Sequence, residues 1–184
     1  MTTLAAETGV STWTIDPYHS SAEFAVKHLM VSTVRGRFGG VEGALRIDEA
    51  DPAASSVSAS IDVATVATGV EQRDQHLRSG DFFGAEEFPR MTFASTRVER
   101  RDGERWRVTG DLTVRDVTKQ VVLETESEGR GQDMDGKERA GFTATTTLNR
   151  KDFGLTWNAL LETGGVAVGD TVKITLGIEA IRAG

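Results

Sequence analysis

S-S-A-E-F-A-V-K-H, Ser20 to His28, is the stretch from which the fold can be read. Ala22, Phe24, Val26 and His28 fall on one face, with Ser21, Glu23, Ala25 and Lys27 on the other. Strict alternation of this kind marks a strand with one face buried and one face wet. His28 shares the apolar face, so a titratable ring is carried on the inward row.

The same period of two recurs along the chain that follows. Val41, Leu45 and Ile47 form one inward row, Val57, Ile61 and Val63 the next, and Met91, Phe93 and Ser95 another. Trp106, Val108, Leu112 and Val114 follow, then Val121 and Leu123, then Ala140, Phe142, Ala144, Thr146 and Leu148. Val172, Ile174, Leu176 and Ile178 close the chain. These rows predict about eight long strands joined mostly by short turns, such as the Asp102-Gly103 hairpin. One apolar face per strand fits an antiparallel sheet, and closing that sheet on itself removes its exposed edges. The expected fold is therefore mainly β, an eight-stranded antiparallel barrel, with a β-sandwich as the competing architecture. Strands of about ten residues would span on the order of 30 Å.

Three details of the connections are open to test. Gly39-Gly40 breaks the phase of its strand, which leaves the faces of Arg35, Arg37 and Phe38 undecided. Glu126 to Glu138 reads as a long, exposed, mobile polar connection. Asn149 to Gly169 reads as irregular, with one helical turn at Ala159 to Glu162.

One central segment does not alternate: T-G-V-E-Q-R-D-Q-H-L-R-S-G-D-F-F, Thr68 to Phe83. Thr68 and Glu71 have capping-box spacing, and Gly80 is placed to end a helix at about residues 69–80. Arg73, Asp74, His76 and Arg78 crowd this helix, and Phe82 and Phe83 follow as an apolar plug. A short polar helix with an aromatic foot suits a lid over one end of a barrel.

At 184 residues with no cysteine, the chain suits one domain over residues 12–182, preceded by a disordered tail over residues 1–11. Disulfide and thiolate chemistry are excluded. A net charge of -7 argues against a general nucleic-acid binder. Neither a signal peptide nor an apolar membrane span is visible, so the expectation is a cytoplasmic protein without stable membrane insertion.

Chemistry has few carriers. His19, His28 and His76 are the three histidines, and no pair has short metal-ligand spacing, so no metal site is expected. There is no G-x-S-x-G elbow and no G-x-G-x-x-G loop, and Asp74 and His76 at i, i+2 on a helix do not face each other. No catalytic set is expected. A lipid-directed hydrolase or isomerase using His28 or His76 as base is the enzymatic alternative, and a packed barrel without ligand is the structural one. For His28 the choice lies between a core histidine and a group aimed at a ligand head. For Arg73, Asp74, His76 and Arg78 it lies between a salt-bridged helix and an anchor for an anionic head. The apolar interior is assigned to Phe24, Val26, Leu45, Ile61, Phe82, Phe83, Met91, Phe93, Trp106, Leu112, Phe142, Leu148, Ile174 and Leu176. Ala22, Gly43, Ala59, Gly110, Ala140 and Ala144 leave space on the inward rows, which favours a cavity over a packed interior.

An ordered set of motifs resembles the YceI-like family. W-x-I-D-x-x-H-S runs from Trp13 to Ser20 and F-x-V-K-H from Phe24 to His28. V-x-G-x-F-x-x-x-x-G covers Val34 to Gly43, and R-D-x-H-L-x-S-x-D-F-F covers Arg73 to Phe83. F-P-x-M-x-F-x-S, G-D-L-T-V and T-K-x-V follow at Phe88, Gly110 and Thr118. N-R-K-D-F-G at Asn149 and V-G-D-x-V at Val168 complete the set. The resemblance implies a lipocalin-like extended barrel whose apolar tunnel holds a long-chain isoprenoid or fatty lipid, as carrier or reservoir, with no cofactor. It is also compatible with a homodimer and a stress-related role. Some members of the family carry a cleaved signal for the periplasm, from which this sequence departs.

Overall fold

The computed structural model describes residues 9–184. Its strands are β1 (Val10–Ile15), β2 (Ser21–His28), β3 (Ser32–Phe38), β4 (Val41–Asp48), β5 (Ser56–Asp62), β6 (Arg90–Arg100), β7 (Arg105–Val114), β8 (Val117–Gln132), β9 (Glu138–Asn149) and β10 (Val168–Arg182). A single helix among the described residues, α1, spans Glu71–Arg78, and short 3-10 turns occupy Pro52–Ala54, Val63–Thr65 and Arg150–Phe153.

All strands join one antiparallel sheet in the order β1-β4-β5-β6-β7-β8-β9-β10-β2-β3, and β1 also pairs with β10. The second pairing closes an eight-stranded ring, with Trp13 opposite Arg182 and Ile15 opposite Ala180. β2 prolongs β1 along the same neighbour, placing Phe24 opposite Ile174 and Ala22 opposite Leu176. β3 and β4 are likewise the two halves of one bent stave, broken at Gly39-Gly40, where Gly40 takes a φ of 59°. The eight-stranded barrel is thus the fold formed, and the sandwich is not.

Alternation decides which side chains face inward. Phe38, left open by the sequence, turns inward and is 5 % exposed, so Arg35 and Arg37 lie outside. Glycine makes room for two inward aromatic rings. A β-carbon on Gly36 would stand 2.3 Å from the Phe24 ring, and one on Gly110 2.5 Å from the Phe93 ring. Both rings lie against bare backbone, a packing that only glycine permits.

The ends of the barrel differ. At one end β5 leaves the sheet early, and the free edge of β3 meets the following chain in one bridge, Arg37 to Ala67. The Val63–Thr65 turn and α1 cover that gap, so the polar insert lies over one end, as a lid would.

Several local expectations are corrected. α1 is shorter than the expected 69–80, its N-cap is Val70 without a side-chain bond, and it ends at Ser79 rather than Gly80. The capping box fails because the Thr68 side chain is taken by Asp74 instead. β8 runs through most of Glu126–Glu138, which is paired sheet with a tight turn rather than a mobile connection. The helical turn in the last irregular segment lies at Arg150–Phe153, not at Ala159–Glu162. β1 starts at Val10, inside the expected tail, whose first eight residues lie outside the described ones. Among the described residues, no helix is long and apolar enough to cross a membrane.

Candidate functional site

Inside the barrel runs a cavity of about 1190 Å³. It extends from His28 and Trp157 at the helix end to Glu49, Arg100 and Trp106 at the far end. All fourteen residues assigned to the apolar interior line it. Phe24, Leu112, Leu123, Leu148 and Leu176 are only half-buried although they point inward, because they face open space rather than one another. The interior is therefore hollow rather than packed. Phe38, Phe153, Leu155 and Trp157 also line the cavity without having been assigned to it. Phe38 was hidden by the break in phase at Gly39-Gly40. The other three lie in an aperiodic loop that no pattern of alternation could place.

That loop is held by Arg150, which is 6 % exposed. Its guanidinium donates to the carbonyls of Leu155 at 2.7 Å, Trp157 and Gly169 at 2.8 Å, and Val168 at 3.3 Å. The N-R-K-D-F-G and V-G-D-x-V motifs thus lock onto each other across the start of β10. Burial pushes the Arg150 guanidinium down from its ordinary pKa, and Asp170 at 3.7 Å opposes that shift.

At the helix end, Trp157 stacks edge-on against His76 with ring centroids 4.6 Å apart, and His76 against Phe82 at 5.0 Å. His76 Nε2 pairs with Asp81 at 2.9 Å. Phe83 packs edge-on against Phe38 at 5.3 Å. The lid and the Arg150-pinned loop therefore meet through aromatic rings above the cavity.

The candidate head-group residues separate into two sets. His28, Arg73 and His76 line the cavity. Asp74 and Arg78 do not, and both bond to neighbouring residues of the chain instead. Asp74 is 5 % exposed and accepts bonds from the Thr68 N–H at 2.8 Å and hydroxyl at 2.6 Å. Arg78 donates to the Ala64 carbonyl at 3.1 Å, the Val66 carbonyl at 3.4 Å and Glu71 at 3.3 Å. Arg73 does both jobs, lining the cavity while its Nε donates to the Thr68 hydroxyl at 2.7 Å. His28 is exposed at the mouth rather than bonded within the core.

The far end carries charged side chains beside aromatic rings. Arg130 pairs with Glu49 and sits 5.2 Å from the Trp13 ring, while Arg100 lies 5.5 Å from the Trp106 ring.

A second polar cluster lies where β10 changes partner from β1 to β2. Asp16 accepts from His19 at 2.8 Å and from Arg139 at 2.7 Å, and Arg139 also donates to Glu179 and Asp133 at 2.8 Å. Burial raises the Asp16 pKa, but the bonds from His19 and Arg139 outweigh it and hold the carboxyl at about 2. The bonds that Arg139 donates to Asp133, Asp16 and Glu179 raise its pKa above the ordinary value. Asp16, His19 and Glu179 are close enough to offer three ligand atoms to an ion. The Arg139 guanidinium already lies between the two carboxylates and supplies their positive charge, so the cluster reads as a clamp on the break between β1 and β2.

The chain matches the model of the YceI-like domain over residues 13–180. It is 39% identical over 171 residues to UPF0312 protein SAS2572 of Staphylococcus aureus, covering 92% of this chain and 97% of that protein. The YCEI protein of Campylobacter jejuni superposes with a TM-score of 0.72 at 32% identity, over 86% of this chain and 90% of that one. BcnA of Burkholderia cenocepacia superposes with a TM-score of 0.78 at 23% identity, over 90% and 98% of the two chains. A polyisoprenoid binding domain of Saccharophagus degradans, implicated in plant cell wall breakdown, gives 0.67 at 16% identity over 93% and 98%. The last two likenesses show a shared fold.

Proposed function

The chain belongs to the YceI-like family, and on that premise we propose that it takes up one long-chain isoprenoid or fatty lipid, as carrier or reservoir. The observation that carries this reading is the hollow, apolar-walled barrel of about 1190 Å³. Sites for compact small molecules usually enclose 300–1,000 Å³, roughly, so this space suits an elongated guest. The polyisoprenoid binding domain with the same fold supports the lipid class. The apolar chain lies along the wall formed by Leu112, Phe142, Ile174 and Leu176, and the polar head rests at the helix end near His28, Arg73 and His76. Each buried Å² of apolar chain contributes about 25 cal/mol.

Native mass spectrometry of the purified protein, followed by extraction and lipid analysis, tests the proposal. A long-chain lipid in near one-to-one ratio is expected. Protein that emerges empty from every preparation and takes up none of a panel of prenyl and acyl lipids would sink it.

The catalytic alternative rests on one observation, the 2.9 Å pair of His76 with Asp81, which orients an imidazole at the cavity wall. It requires turnover of a lipid ester or alkene that His76→Ala abolishes while uptake persists.

A further inference from the structure

The β2–β3 hairpin ends in a turn that its residues oppose. Val31 N–H donates to the His28 carbonyl at 3.1 Å, and the two residues between them, Leu29 and Met30, have φ of 52° and 59°. A two-residue turn with both central φ values positive is the geometry that favours Asn-Gly, and bulky apolar residues there are strained. The strain holds Leu29, Met30 and Val31 out at the tip, where Met30 is 63% and Val31 82% exposed. Strain kept at an exposed point by residues that could be exchanged for better turn formers is an indication of function.

The tip stands beside the helix end of the cavity. His28, Val34 and Ala167 beside it line the cavity, and the Leu29 N–H donates to the Ala167 carbonyl at 2.9 Å. The loop thus tied to it carries Leu160, which is 88% exposed. Charge on this hairpin runs against that of the molecule. Lys27, Arg35 and Arg37 face one carboxylate, Glu23, in a chain of 28 acidic and 21 basic residues. Lys173 adds a further cation beside Ala25 on the outer face, and Glu162 lies on the neighbouring loop. Counting along the strands, Lys27 and Arg35 stand about 7–13 Å behind the tip. Apolar anchors sink roughly 5–10 Å into the boundary between headgroups and acyl chains, which would bring these cations to the phosphates.

We propose that the β2–β3 hairpin is a docking foot for an anionic lipid bilayer: Leu29, Met30 and Val31 enter the apolar layer, and Lys27 and Arg35 meet the headgroup phosphates. This deepens the lipid-binding reading and rests on it, since docking sets the tunnel mouth against the layer from which a long chain is drawn. It is peripheral and reversible attachment, as three apolar side chains and a few cations give only modest affinity.

Co-sedimentation with phosphatidylcholine vesicles, with and without phosphatidylglycerol, at low and high salt tests it. The wild-type protein is expected to sediment with the anionic vesicles and to be released by salt. Leu29→Asn with Met30→Gly installs the favoured turn, so it should keep or raise the melting temperature while reducing vesicle binding by about tenfold. Arg35→Gln should weaken the preference for anionic vesicles. Uptake of a fluorescent long-chain lipid from detergent micelles should persist in both variants. Wild-type protein that ignores anionic vesicles, or a tip variant that binds them as well as wild type, overturns the proposal. So does a tip variant that changes only the oligomeric mass, because the foot would then hold a second copy. Loss of micelle uptake in wild type with vesicle binding intact would overturn the tunnel reading instead.

Discussion

The Arg150 guanidinium lies 2.7 Å from the Leu155 carbonyl oxygen, and this bond, with three others like it, builds the part of the cavity wall that has no strand. Asn158, the residue after Trp157, adds a second tie, donating to the Val168 carbonyl at 2.7 Å and accepting from the Val168 N–H at 3.0 Å. Arg150→Met keeps the apolar stem and takes the Arg150 donor from the carbonyls of Leu155, Trp157 and Gly169, while that of Val168 keeps its bond from Asn158. Leaving buried acceptors unpaired is expected to cost roughly 3 kcal/mol. Urea unfolding measures it, and Arg150→Lys should recover only part, since one ammonium cannot span the same fork of acceptors. A variant within about 0.5 kcal/mol of wild type would show that the loop is held by its aromatic contacts and the Asn158–Val168 pair without Arg150.

Asp16 predicts a pH dependence. Its folded pKa of about 2 lies below the ordinary 3.8, so its contribution is fully present above about pH 4 and is lost as the pH falls towards 2. The contribution amounts to about 2 kcal/mol. Asp16→Asn should therefore melt below wild type at pH 7, and the gap should close between pH 4 and pH 2. A gap that stays constant over this window would assign the loss to packing of the turn and not to the charge.

Asp74 and His76 sit two residues apart and are expected to fail differently. Asp74→Ala leaves the Thr68 N–H without its acceptor and should lower stability by about 2 kcal/mol, with affinity for a lipid changed only through loosening of the lid. His76→Ala leaves the fold near wild type, because its bond to Asp81 is largely exposed. It should weaken lipid uptake several-fold, by loss of both a polar contact and the ring that Trp157 rests against. Paired melting curves and lipid titrations separate the two. Equal effects of both variants on both readouts would refute a division of labour within α1.

The period of two made the barrel wall legible, because alternation assigns every second residue to one side whatever its neighbours are. Twelve of the fourteen apolar positions follow from that rule, Phe82 and Phe83 being placed by the helix they follow, and the hollow left by small residues such as Ala22 and Ala144 follows from it too. Charge gave no such guidance on α1. Asp74 and His76 look alike in sequence, yet one is buried on Thr68 and the other faces the cavity, since a polar helix has no apolar stripe to fix its rotation. The polar end of β8 was missed for a related reason: both of its faces are wet, so no alternation marks it. Arg150 was invisible as a keystone because its partners are backbone carbonyls, which every residue possesses.

The hollow interior itself makes the last prediction. Leu176 is paired across the sheet with Ala144 on one side and Ala22 on the other, so its side chain projects beyond two small neighbours into open space. In a packed core, Leu→Trp forces side chains off their rotamers at a cost of typically 1–3 kcal/mol, roughly. Here the indole enters the cavity, and Leu176→Trp should change stability by less than about 1 kcal/mol while gaining apolar contact. The same indole obstructs the tunnel, so uptake of a long-chain lipid should fall by about tenfold or more, and shorter chains should be retained better than longer ones. Lipid titration over a series of chain lengths, beside thermal melting, reads both effects. A strongly destabilised variant would mean that the wall collapses inward in solution, and unchanged uptake of long chains would mean that the guest does not pass Leu176.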